Sequence, residues 1–178
     1  IKSKKDLENF IQERSAHVTQ TTLYGYLKTR IGVKYIAMME DERFLKSINI
    51  AKWNIYMVAL ADCTFYVFSY LISEKNLKEN DCKEIFLKIL ENEKQNGLTD
   101  EIFESGKRNF LKRIDTVNFS SYHLNDPFKQ SGEALYYWSP IADELKSLDK
   151  KIVLNSIHLK WGLIKDEFKK LTKNFKFN

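Results

Sequence analysis

Proline and glycine are scarce. The 178 residues contain two Pro and six Gly, too few turn residues for a sandwich or barrel of many short strands. Cysteine is nearly missing as well. Cys63 and Cys82 form no CxxC pair and no Cys/His cluster, which excludes the usual zinc and redox motifs. Two reduced thiols in a cytoplasmic protein are the expectation. His17, His123 and His158 are the only histidines and lie on separate segments, so no metal site is expected. Helical di-iron proteins need repeated Glu-x-x-His pairs, whereas Glu13 and His17 are four apart and occur once. Gly-rich phosphate loops are missing, and so is GxSxG. The nearest stretch is Gln130-Ser131-Gly132-Glu133, where Ser131 reads as a polar residue at a helix start. No cofactor is therefore expected. The opening IKSKKDLENF is polar and lacks an apolar h-region, so no signal peptide is expected there.

What is present is material for a core. Apolar residues make up 43% of the chain and aromatic residues 13%, which disfavours disorder. The length suits one domain over residues 1–178. A net charge of +5 permits an anionic partner without demanding one. Nucleic-acid binding needs a concentrated basic face with exposed aromatics. The lysines here are scattered, so nucleic acid is not an expected partner.

Helical spacing recurs along the whole chain. Leu7, Phe10, Ile11, Val18, Leu23, Leu27 and Ile31 predict a helix over about 5–31, with Gly32 as its stop. Its Thr19, Thr21 and Thr22 are weak helix formers. Residues 42–75 read as one long helix, with Asn49 as the place where it could break. Asp81 with Glu84 resembles a capping box for a helix ending at Asn96-Gly97. Thr99 caps the next one. Residues 118–127 form the one clear loop, and 128–138 a short helix. Ser139-Pro140 reads as an N-cap followed by Pro at the first helical position. The last helix is placed at about 149–173, with Val153, Ile157, Ile164, Phe168 and Leu171 on one face. The fold class is all-α: a single globular domain of six or seven helices around a central hydrophobic helix.

Met57 to Ile72, MVALADCTFYVFSYLI, is apolar on every side of a helical wheel. A helix of that kind is a core helix or a membrane span. Lys52, Asn54 and Asp62 interrupt any window of the about 20 residues that a bilayer requires, which favours the core. Asp62 shares its side of the wheel with Ala51, Ile55, Ala59, Tyr66 and Ser69. Three roles fit it: a solvated stripe, a buried polar network, or a ligand pocket. A buried carboxylate needs partners. The first helix offers Arg14, Gln20, Thr21 and Tyr24. The candidate catalytic set is accordingly Asp62, Arg14, Tyr24, Tyr66 and Lys52.

Two other stretches could meet a partner. ALYYWSP concentrates Tyr136, Tyr137 and Trp138, either as a plug for the core or as an interface anchor. From Lys160 onward, six lysines flank Trp161, Ile164, Phe168, Leu171 and Phe175, with Phe177 beyond. That end either packs on the core with its lysines in solvent, or its tail docks on an anionic surface.

The blocks RSAHVTQTTLYGYLKTRIG, FLKSINIAKWNIYMVALADCTFY and YYWSPIADELKSLDKKIVLNSIHLKW resemble a family of short alphaproteobacterial proteins, some of them labelled esterase. The resemblance implies a cytoplasmic bacterial origin and assigns no residue a role. The leading expectation is a non-enzymatic helical protein that binds a protein partner or an anionic membrane surface. The alternative is a small-molecule enzyme, a hydrolase for instance, with a pocket between the first helix and the Asp62 side of the second.

Overall fold

Apolar faces on nearly every segment leave the chain one economical solution, helices packed around the most apolar helix. The computed structural model describes residues 1–75 and 80–174. Its elements are α1 (Lys4–Ile31), the single turn α2 (Tyr35–Met38), α3 (Glu42–Lys75), α4 (Asn80–Glu93), α5 (Asp100–Ile114), α6 (Lys129–Trp138) and α7 (Asp143–Leu171). No strand occurs among the described residues. The fold is all-α, with α3 at its centre.

The start of α1 is fixed by Ser3. Its Oγ accepts from the Asp6 amide at 3.1 Å, and the Asp6 carboxylate accepts the Ser3 amide at 3.0 Å. This reciprocal pair satisfies amides that a helix start leaves open. Thr21 and Thr22 remain helical by donating to the carbonyls of His17 and Val18, 2.7 Å away in each case. Gly32 then ends the helix at φ 64°, a value that favours glycine.

Asp41 caps α3, accepting from the Phe44 amide at 2.9 Å. As the spacing predicts, α3 is one helix, and it runs unbroken through Asn49 for 34 residues. It is long and apolar enough to cross a bilayer, yet 83% of its apolar window is buried inside the fold. Helices α1, α4, α5 and α6 all pack on it, while α7 lies against α1 and α6. Gly106 lets α5 approach α3 closely, since a Cβ there would stand 2.8 Å from Met57 Sδ. Stacked rings fill the centre: Phe86, Phe110 and Phe65 in one column, Phe128 on Trp161 in another.

Two expected helix starts are corrected. Asp81 lies within α4 rather than before it; its carboxylate accepts Lys4 Nζ at 2.7 Å. Ser139 closes α6 instead of opening a helix, donating to the Leu135 carbonyl at 2.6 Å. Extended backbone at Ser139 and Ala142 then delays the next helix to Asp143. From there α7 continues past Asp149 as one helix of 29 residues. The start of the described residues lies against the end of α7, with the Ile1 nitrogen 3.2 Å from the Leu171 carbonyl oxygen.

Candidate functional site

Asp62 is fully buried, and its carboxylate is bonded on both oxygens. Oδ1 accepts Arg113 Nη2 at 2.6 Å and the Tyr122 hydroxyl at 3.4 Å. Oδ2 accepts both the amide and the hydroxyl of Ser131, at 2.8 and 2.6 Å. Tyr122 also donates to the Pro127 carbonyl at 2.8 Å, and the Arg113 guanidinium lies 5.0 Å from the Phe65 ring centre. One carboxylate thus ties α3 to α5, to the 118–127 loop and to the start of α6. Burial raises its pKa, and Arg113 and Ser131 pull in the opposite direction. The arrangement is a closed, bonded network. It offers an incoming substrate no free oxygen.

The other four candidates do not join it. Arg14 pairs with Glu167 of α7 through two bonds of 2.9 and 2.6 Å. Tyr24 is half-buried on α1, where burial raises its pKa. Tyr66 is buried beside Phe128 and Phe168, and its hydroxyl has no partner among the described residues. Lys52 sits with its ammonium 5.0 Å from the centre of the Trp53 ring. Thr21 bonds only within α1.

A cleft does open between α1 and α3, away from Asp62. It holds about 490 Å³ and is lined by Gln12, Thr19, Lys52, Trp53, Tyr56 and Glu93, among others. Of the five candidates only Lys52 reaches it. Glu93 is buried at the end of α4 and accepts from Gln12 Nε2 at 2.7 Å, the Tyr56 hydroxyl at 2.5 Å and Asn96 Nδ2 at 2.8 Å. Burial and the adjacent Glu93 hold the Tyr56 phenol protonated, well above its ordinary pKa. No cluster of His, Cys, Asp and Glu suited to a metal occurs among the described residues.

A line of exposed apolar side chains lies elsewhere, on α7. Val153, Ile157, Trp161, Ile164 and Phe168 are buried beneath the helix. On its outer face Leu145, Leu148, Ile152, Leu159 and Leu163 are 43–75% exposed. Sequence reasoning assigned α7 a single apolar stripe and missed this one. The signal was available: Leu145, Leu148, Ile152 and Leu159 follow a heptad rhythm, with Asn155 and Gly162 at the intervening seam positions and Leu163 beside the seam. Tyr137, from the aromatic cluster, is exposed near the start of α7, and Trp138 partly so. Lys169 and Lys170 lie exposed at the end of α7, while Phe175 and Phe177 fall outside the described residues.

No family model matches the chain, and neither a curated protein nor a solved structure is significantly similar to it.

Proposed function

We propose that this is a non-enzymatic interaction protein, that it works through the outer face of α7, and that a second copy of the chain occupies that face. The observation that carries the reading is the double apolar character of α7. A surface helix needs one apolar stripe to pack on its own domain. This helix has a second, pointing outward, with the spacing of a helix–helix seam.

The stripe suits itself. In an antiparallel pairing about a two-fold level with residues 153 and 154, Leu148 faces Leu159 of the second copy. Leu145 faces Gly162, which has open space where a side chain would be. Ile152 faces Asn155, and the two asparagines come close enough across the axis for their amides to pair. A single seam asparagine is a known device for fixing register. Glu144 and Lys165 flank the seam two residues apart in level, an attractive pair. The five side chains form one line of exposed aliphatic surface, the kind of patch that marks an interaction site. Both cysteines are buried, which suits a reducing, cytoplasmic setting.

Size-exclusion chromatography of the full chain beside L148E/L159E tests the reading. The wild type is expected to elute as a dimer at both low and high salt, because the seam is apolar, and the variant as a folded monomer. Two alternative outcomes would displace the second copy. One is a monomeric wild type that sediments with anionic vesicles only at low salt; the other is a monomer captured by an acidic amphipathic peptide.

A further inference from the structure

The cleft between α1 and α3 carries a feature that packing alone does not explain. Glu93 is 5% exposed, yet every donor to its carboxylate is neutral: Gln12, Tyr56 and Asn96. No ion pair reaches it among the described residues. Buried carboxylates are ordinarily matched by a cation, as Asp62 is matched by Arg113 in this same molecule.

The wall opposite is suited to a cation. Lys52 holds its ammonium 5.0 Å from the Trp53 ring centre, the range of cation–π attraction. Among the lining residues Glu13 and Glu93 are acidic and Lys52 alone is basic, so the cleft has a net formal charge of −1 in a chain of +5. Its volume of about 490 Å³ lies in the range of small-molecule sites.

We infer that this cleft binds a small organic ammonium, its N–H groups donating to the Glu93 carboxylate and its carbon body lying on Trp53. Lys52 is a tethered competitor: its ammonium occupies the indole face until a ligand displaces it. The inference is independent of the α7 face, which lies on another helix.

Titration of the ¹⁵N-labelled full chain with 2-phenylethylamine and with 1,4-diaminobutane tests it, with 2-phenylethanol as the neutral counterpart. At least one amine should shift the amides of residues 12–20, 52–56 and 93–96 saturably, and the alcohol should not. Glu93→Gln should weaken the amine about tenfold or more, since it removes a charge-assisted bond. Lys52→Gln should tighten it several-fold. The Lys52 variant also serves if Glu93→Gln does not fold. The inference is overturned if neither amine gives saturable shifts, if amine and alcohol bind alike, or if binding is unchanged in the Glu93 and Lys52 variants.

Discussion

Asp62 joins three separate stretches of chain through a single buried carboxylate, so its partners are unequal in what they lose. Removing the carboxylate leaves the Ser131 donors buried and unmet, while Arg113, partly exposed, can turn to water. Asp62→Ala should lower stability by about 2–4 kcal/mol, read from denaturant midpoints. Removing Arg113 instead strands the buried carboxylate. Burial already raises the Asp62 pKa in the native state against the pull of Arg113. An acid raised on folding contributes stability that is complete below its unfolded pKa and lost as pH rises through the native value. Without the guanidinium the rise is larger. The stability gap between wild type and Arg113→Met should therefore widen from pH 4 to pH 7; a gap that stays constant would mean that Arg113 does not hold the charge. Cys63 gives a simpler check. Burial pushes its thiol up to about 12, so it should be silent to Ellman's reagent at pH 8 in the native protein and react once the chain is unfolded.

At the scale of the helix, local signals read well and long-range ones did not. Gly32 and Thr99 were legible because a stop at positive φ and a side-chain cap act within a few residues. The Ser3 capping box was equally local and was passed over for a start at residue 5; Ser3→Ala should cost about 1 kcal/mol in thermal unfolding. Ser139-Pro140 misled because an N-cap signature has the same composition as a helix-closing turn, and only the bond to Leu135 tells them apart. The polar character of Asp62 was legible, but its partner was not. Arg113 lies 51 residues away on α5, and the register that brings it there depends on how closely Gly106 lets α5 settle on Met57. Sequence spacing carries no record of that approach. The cleft was hidden for the same reason, since Gln12, Tyr56 and Glu93 come from three helices.

At the scale of the whole molecule, nearly every apolar helix face is turned inward on α3 or its neighbours. The outer face of α7 is the largest exception, and a soluble monomer gains nothing from keeping five exposed aliphatic side chains in line. What covers them decides the function. Sedimentation equilibrium of the unmodified chain, over a range of concentrations, measures this without any substitution. A dimer through α7 gives a limiting mass of twice 21.1 kDa, unchanged at high salt. A mass that stays at 21.1 kDa at the highest concentration would contradict it.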